Sequence, residues 1–351
     1  MRPLPYPEAG SGIETLRGYV NCDDAGFMLI VGWLVAAMRP SGPYPILVVN
    51  GRQGTGKTFL CGLLRSITDP VIAPLRAAPK DVRDLLVSTT NSQVQAFDNF
   101  SQIPAWLSDL FCSISTGAGF STRELHSDKE ETVFQAMCPM LINGIGWLGE
   151  RGDFFERTMV VNCNEISETA RRTEEDMRTA LERDRPLIFG ALLGALSAGL
   201  RNQAHVELPR KPRMADFAKW VTACESGLGW EPMSFLDAYM ENQKDAGEAA
   251  FEADAVAVAV KKFIAGHVGG AWTGTASELL PLLGEFASES VKRSKAWPFT
   301  AQGLGNRIER AAPGLKAHGV SVTKKHSGVR LITIAIIDAP PALESADPSS
   351  F

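Results

Sequence analysis

The sequence has no closely spaced cysteine pair and no long apolar run, and each absence excludes a class of protein. Six cysteines are scattered along the chain without a CxxC pair, which argues against a disulfide scaffold and against a zinc site. Residues 27–38 form the longest apolar run, which is too short for a bilayer that needs about 20 residues. No charged-then-apolar signal peptide opens the chain, so we expect a cytoplasmic protein without a membrane anchor. The cysteines are expected to be reduced and mostly buried: Cys22, Cys61, Cys112, Cys138, Cys163 and Cys224.

The composition is that of an ordinary globular protein. Apolar residues make up 45% and charged residues 21% of the chain, which excludes a mostly disordered protein. The sequence has no collagen-like glycine period, no internal repeat and no long low-complexity linker. At about 150 residues per domain, a chain of 351 residues predicts two domains.

Charge is divided unevenly along the chain. Residues 255–337 contain 11 Lys+Arg and 4 Asp+Glu, a net charge of +7, although the whole chain has a net charge of −5. The other residues therefore carry a net charge of −12. A basic C-terminal module on an acidic body favours contact with a polyanion, and a solvated surface with a chance excess of lysine is the alternative.

Alternating apolar strands and helical segments predict the α/β class, with a parallel sheet covered by helices on both faces. Residues 46–49 form a short continuous apolar run, which is typical of a strand buried on both faces. Residues 199–254 are interpreted as a helical extension of this domain, with one helix at 214–223. Further strands are predicted at 94–98, 139–143 and 158–161, and helices at 12–38, 58–66, 79–86, 104–115 and 168–197, the last interrupted near Pro186.

The basic C-terminal module has the element order of a winged helix-turn-helix. Helices are predicted at 255–263, 275–286 and 301–311, followed by strands at 320–323 and 329–337 joined by residues 324–328. In that geometry the helix with Arg307 and Arg310 would enter a major groove, while Lys324 and Lys325 would touch the phosphate backbone. A lid or oligomerisation domain is the alternative.

Residues 51–58, GRQGTGKT, carry the strongest motif in the chain. They fit the pattern G-x-x-x-x-G-K-[ST] between a buried strand and a helix. Glycines allow the backbone to form a nest of N–H groups for phosphate oxygens, Lys57 would reach the β- and γ-phosphates, and Thr58 would bind Mg²⁺. The residues predicted to bind ATP are Gly51, Gln53, Gly54, Thr55, Gly56, Lys57, Thr58 and Phe59.

A second magnesium ligand is expected at the end of a neighbouring strand. Asp98 ends the apolar run 94–97 and is the natural candidate, with an ordinary turn or helix-capping aspartate as the alternative. Asn99 follows it at a position where many ATPases have a catalytic glutamate that orients water. Because an amide is a poor base, the general base is either missing or supplied by another residue.

Two further polar residues extend the candidate site. Asn143 ends the third strand and could hold the attacking water or the γ-phosphate, with an Asn-Gly turn as the alternative. Arg157 opens the fourth strand and could act on a neighbouring subunit as an arginine finger. A surface ion pair with Asp153 or Glu156 is the alternative reading of Arg157.

With these motifs in this order, the chain resembles an AAA+ ATPase core, and more narrowly the superfamily 3-type helicase ATPases of phages, plasmids and integrative elements. The resemblance implies Walker A at 51–58, Walker B at Asp98, sensor 1 at Asn143, a finger at Arg157 and a ring, usually a hexamer. Arg151 and Arg123 are further candidates for the finger. The resemblance rests on residues 51–58, 97–101, 115–123, 139–144, 152–157 and 212–217, and together these span about residues 12–220.

The same resemblance implies a hairpin that projects into the pore of the ring. Residues 117–129 lie at that place, and Arg123, His126 and Lys129 could touch a threaded strand, with a solvated loop as the alternative. Two departures affect the interpretation. Asn99 replaces the usual second acid, and no primase-like domain precedes the ATPase, so a separate primase or a loader role is considered.

We therefore expect an ATP- and Mg²⁺-dependent DNA helicase of mobile-element replication. A non-translocating ATP switch that loads or assembles partners on DNA is the second hypothesis, and a DNA-binding regulator with a vestigial phosphate loop is the third. The predicted segments are an N-terminal helical segment (1–44), the ATPase core (45–200), the helical extension (201–254), the winged-helix-like domain (255–338) and a flexible tail (339–351).

Overall fold

The computed structural model describes residues 2–10, 12–123, 131–145, 152–294, 297–327 and 329–337. The chain forms two compact units, and the boundary between them falls after Ala246. None of the described helices is long and apolar enough to cross a membrane.

A four-stranded parallel sheet is the centre of the N-terminal unit. Its strands are β1 (Ile46–Asn50), β2 (Gln95–Phe100), β5 (Met140–Gly144) and β6 (Thr158–Asn162), in the order β2-β5-β1-β6. A separate antiparallel hairpin consists of β3 (Ala118–Arg123) and β4 (Glu131–Ala136). The prediction of an α/β fold with a parallel sheet is confirmed.

Nine helices of the described chain surround or extend this sheet. They are α1 (Ile13–Arg17), α2 (Asp24–Ala37), α3 (Lys57–Thr68), α4 (Val82–Asn91), α5 (Ala105–Thr116), α6 (Gly152–Phe155), α7 (Glu174–Asn202), α8 (Ala215–Leu228) and α9 (Ser234–Ala253). Helix α9 continues across the boundary between the units. One apolar core joins α2, α7, α8 and the sheet, and Trp33, Leu47 and Phe217 are fully buried in it.

Two predicted helices have different bounds in the structure. The helix predicted at 12–38 is two helices, because Gly18 ends α1 and Asp23 begins α2 by accepting a hydrogen bond from the Gly26 N–H at 2.8 Å. The predicted interruption near Pro186 is also wrong, since α7 continues through it to Asn202. The proline carbonyl is used elsewhere, accepting a hydrogen bond from the Glu8 N–H at 3.0 Å.

The C-terminal unit has its own small sheet and core. Its elements are α10 (Ala255–Ala265), β7 (Ala271–Thr275), α11 (Ala276–Gly284), α12 (Glu289–Lys292), α13 (Ala301–Ala317), β8 (Val320–Ser327) and β9 (Val329–Ile336). The sheet is antiparallel in the order β7-β9-β8. Val260, Leu279, Leu304 and Ile334 are fully buried between the helices and this sheet.

Three helices and a closing hairpin were expected here, and the sequence prediction missed β7. The predicted turn at 324–328 is wrong in its bounds, because β8 includes Lys324 and Lys325 and runs to Ser327. Strand β7 ends at Thr275, whose side chain forms a capping box with Glu278 at the start of α11.

Candidate nucleotide-binding site

Residues 51–56, called the phosphate loop below, connect β1 to α3 in a conformation that depends on glycine. Gly54 and Gly56 both have φ of +82°, a left-handed conformation that other residues adopt only with strain. A Cβ on Gly51 would lie 2.8 Å from the Thr55 hydroxyl oxygen, and that hydroxyl donates to the Arg52 carbonyl at 2.9 Å. The hydrogen bond between Thr55 and Arg52 therefore closes the loop at the amino end of α3. The N-cap residue of α3 is Gly56, which has no side chain to accept hydrogen bonds from the first N–H groups of the helix. Free N–H groups at a helix start favour an anion there.

The Lys57 ammonium group lies over this loop. Its Nζ donates to the carbonyl oxygens of Gly51 at 2.7 Å and Arg52 at 2.6 Å. These bonds hold a positive charge next to the glycine N–H groups. The arrangement concentrates hydrogen-bond donors and positive charge at the carboxyl edge of the sheet.

Thr58 and Asp98 meet at the same edge although 40 residues separate them. The Thr58 hydroxyl donates to Asp98 Oδ1 at 3.2 Å. Asp98 lies in β2, which rules out the turn and helix-cap alternatives, and parallel strands bring their carboxyl ends together. A hydroxyl and a carboxylate are hard oxygen ligands that suit Mg²⁺. In the described ranges no three His, Cys, Asp or Glu side chains cluster as a metal site, so a cation here would need phosphate or water oxygens as well.

Asn143 is buried between the phosphate-loop strand and the Asp98 strand. It lies within β5, paired with Val49 of β1, so the Asn-Gly turn alternative is wrong. Its Oδ1 accepts a hydrogen bond from the Asn99 N–H at 2.7 Å, and its Nδ2 donates to Cys61 Sγ at 3.6 Å. Burial raises the pKa of the Cys61 thiol, so this neighbour stays neutral at physiological pH.

Asn99 is exposed in a left-handed conformation, with φ of +63°. The pairing of β2 with β5 is irregular here, since Phe97 pairs with Ile142 and Phe100 with Gly144. This irregularity lifts Asp98 and Asn99 out of the regular ladder and toward the phosphate loop.

These residues line one cavity of about 360 Å³. It contains the predicted loop residues from Gln53 onward, together with the predicted residues of β2 and β5. Ile145, just beyond β5, also lines it and was not predicted. The lining residues are Gln53, Gly54, Thr55, Gly56, Lys57, Thr58, Phe59, Asp98, Asn99, Asn143 and Ile145.

Arg157 lies outside this cavity and forms an ion pair within its own chain. Its Nη1 donates to the Asp153 backbone carbonyl at 2.9 Å and forms an ion pair with the Asp153 carboxylate. Arg213 approaches the same carboxylate at 3.2 Å and pairs with Glu156 at 2.8 Å. Arg157 is not among the residues lining the cavity of its own chain.

An antiparallel hairpin, β3 and β4, lies where the pore hairpin was predicted, and the backbone of Arg123 is in register with that of Glu131 at its described end. His126 and Lys129 lie outside the described residues, and so does Arg151, the other finger candidate.

The predicted DNA contacts of the C-terminal unit fall on α13 and β8. Arg310 is exposed and Arg307 half-buried on α13, and Lys325 is exposed on β8. Lys324 is engaged by α13, donating to the Gly305 carbonyl at 2.7 Å and pairing with Glu309 at 2.8 Å. The hydrogen bond from Lys324 keeps the pKa of Glu309 below its ordinary value.

Sequence reasoning also missed the segment that follows β6. Because β6 pairs with β1, the Cys163 N–H donates to the Asn50 carbonyl at 2.7 Å and the chain continues along the phosphate loop. Arg52 and Glu165 form an ion pair at 2.7 Å. No local pattern signals this proximity, and only the β1–β6 pairing could have predicted it.

Comparisons with known proteins identify the family. Residues 13–246 match the model of the actinomycete integrative conjugative element replication protein, and residues 256–347 match the model of the C-terminal domain of the same replication protein. No curated protein matches the chain.

Among solved structures, the A form of the apo NrS-1 C-terminal region is similar at a TM-score of 0.43 and 13% identity, over 96% of this chain and 79% of that one. A second structure of that region, residues 305–718, gives a TM-score of 0.42 and 13% identity over 95% and 77%. The family match alone covers well over half of the chain. The chain therefore belongs to the replication proteins of actinomycete integrative conjugative elements.

Proposed function

We propose that the N-terminal unit binds ATP with Mg²⁺ in the phosphate-loop cavity and hydrolyses it to drive a DNA helicase or translocase of element replication. The observation that carries the proposal is the 3.2 Å contact between Thr58 and Asp98 beside buried Asn143. Residues from the ends of β2 and β5 meet the loop that follows β1 in one cavity with the Lys57 ammonium group. That combination suits a nucleoside triphosphate and its metal better than a neutral ligand.

Each residue has a distinct role in this proposal. Lys57 exchanges its bonds to the Gly51 and Arg52 carbonyls for phosphate oxygens. Thr58 and Asp98 would hold Mg²⁺, which would supply positive charge for the phosphate groups of the nucleotide. Asn143 fixes the backbone at Asn99 and so the position of water near the γ-phosphate.

The assembly that we propose is an AAA+ ring, a hexamer in which Arg157 of one subunit acts on ATP held by the next. The hairpin of β3 and β4 would then line the pore around single-stranded DNA. In the C-terminal unit, the order helix, strand, three helices and closing hairpin supports a winged-helix interpretation in which α13 and β8 meet duplex or forked DNA. A separate primase is the partner expected for such a helicase.

The alternative function is an ATP switch that loads or assembles partners on DNA without translocating. Asn99 favours this alternative. Its exposed position next to Asp98 carries an amide, whereas a carboxylate there could act as a general base and speed hydrolysis. A switch needs slow hydrolysis and tight nucleotide binding, whereas a motor needs DNA-stimulated turnover.

Steady-state ATP hydrolysis with and without single-stranded DNA tests the proposal. The wild-type chain is compared with Lys57→Ala and with Lys80→Ala, an exposed lysine that does not line the cavity. Hydrolysis that DNA stimulates and that only Lys57→Ala removes supports the motor. Hydrolysis indifferent to DNA favours the switch, and no hydrolysis or nucleotide binding by the wild type contradicts both.

A further inference from the structure

The segment after β6 forms a second wall along the phosphate loop. The Arg52–Glu165 ion pair fixes one end of the loop to this segment. Ile166 Cδ1 lies 3.6 Å from the position that a Cβ on Gly56 would occupy. The segment then passes through a short 3-10 helix, Glu168–Ala170, and reaches Arg171.

Arg171 brings a guanidinium group to the loop. Its Nη2 lies 3.8 Å from the position of a Cβ on Gly54. The side chain is exposed and forms no hydrogen bond or ion pair with the residues that the structure describes. The adjacent Arg172 differs, because its charge acts on Asp184 and Tyr19 of the same unit.

The position of Arg171 indicates which part of a nucleotide it would meet. Lys57, Thr58 and Asp98 mark the end of the cavity where the β- and γ-phosphates belong. Arg171 does not line that cavity and lies beside Gly54, within the loop whose N–H groups hold the α- and β-phosphates. An arginine there would meet the α- and β-phosphates, which ADP and ATP share.

We propose that Arg171 is an additional nucleotide-binding residue that contacts the α- and β-phosphates of the nucleotide held by the phosphate loop. This inference rests on the proposed function, because it assumes that the loop holds a nucleotide. Guanidinium groups pair well with phosphate, and a hydrogen bond between charged groups is stronger than a neutral one.

Equilibrium binding of fluorescent ADP and ATP to the full chain tests this inference. Arg171→Ala is expected to weaken both nucleotides by about 10-fold, since the lost contact is a charged hydrogen bond. The ratio of the ATP and ADP dissociation constants should stay at the wild-type value, because the α- and β-phosphates are common to both. Arg171→Lys should lose less, and Arg172→Ala, the matched control, should bind like the wild type.

The outcomes separate this inference from the proposed function. If the wild-type chain binds neither nucleotide, the proposed function fails. If the wild type binds and Arg171→Ala binds equally well, the function stands and the role of Arg171 is refuted. A loss confined to ATP would place the contact on the γ-phosphate, and an equal loss in Arg172→Ala would show a general charge effect, so either result overturns the assignment to the shared phosphates.

Discussion

The phosphate-loop edge of the N-terminal unit and the basic surface of the C-terminal unit hold positive charge in opposite ways. Lys57 is bonded to two loop carbonyls in a cavity that the loop shares with α3 and with the ends of β2 and β5. Arg310 and Lys325 stand exposed on a helix and a strand, and Lys324 is already paired with Glu309. The first arrangement concentrates charge on one ligand, and the second spreads it over a surface.

This difference determines how each region should respond to mutation. In the cavity, the side chains would act together on one nucleotide. Removing one of them should therefore disable the site, because its neighbours cannot compensate for it. On the basic surface, each cation would add a separate electrostatic contact with DNA under the proposed function, and one loss would remove one contact. Large effects of single mutations in the cavity and small effects on the basic surface would support this comparison.

Lys57→Ala is expected to have the largest effect. The variant should lose ATP binding and lower hydrolysis by about 1000-fold, because no other cation lines the described cavity beside the phosphate loop. Steady-state hydrolysis and nucleotide titration measure both losses, while DNA affinity at the C-terminal unit should remain at the wild-type level. A variant that hydrolyses ATP normally would show that the cavity is not the catalytic site.

Arg157→Lys is expected to lower turnover by about 1000-fold while nucleotide affinity changes by less than about 2-fold. An arginine finger acts on the transition state, and lysine lacks its planar fork. The lysine can keep the ion pair with Asp153, so the fold should persist in circular dichroism and thermal melting.

Arg213→Ala controls the Arg157 experiment, because Arg213 contacts the same Asp153 carboxylate. It should retain most of the activity. Equal losses in both variants would mean that the Asp153 pairing is structural and that Arg157 is not the finger.

Asn99→Asp is expected to raise ATP hydrolysis by about 10-fold. The change supplies a carboxylate at the exposed position beside Asp98, and aspartate tolerates the left-handed backbone found there. Asn162→Asp, at the same edge of the sheet on β6, is the matched control and should not accelerate the reaction. An unchanged rate in Asn99→Asp would show that another residue already acts as base, which would favour the motor over the switch.

The proximity of the residues predicted around the phosphate loop could be inferred from the sequence, because these residues are either local to the loop or at the ends of strands. The motif at 51–58 specifies the loop by itself, and strands in a parallel sheet end at one edge. Asp98 and Asn143 could therefore be placed near the loop without knowing the strand order. Ile145 and Arg171 could not, because their positions depend on where the chain goes after β5 and β6.

The continuation of α7 through Pro186 and the presence of strand β7 could not be predicted from the local sequence. Pro186 signals a break, but the packing of α7 against α8 and the core outweighs the loss of one backbone donor. Strand β7 is short and contains Gly274 directly before a capped helix, so its sequence resembles a helix start. Its pairing with β9 is a distant contact that no local pattern shows.

The smallest effect is expected at the basic surface of the C-terminal unit, where Lys324 and Lys325 form an internal control. Lys325→Ala should weaken DNA binding by about 3-fold and reduce the slope of log affinity against log salt by about 1, because one exposed phosphate contact is lost. Lys324→Ala should change both quantities less, since Glu309 already neutralises part of the Lys324 charge. Fluorescence anisotropy on forked DNA over a salt series measures both. If Lys324→Ala has the larger effect, the Glu309 pair must open when DNA binds, and the two neighbouring lysines would then differ by their geometry toward the phosphates and not by their charge in the free protein.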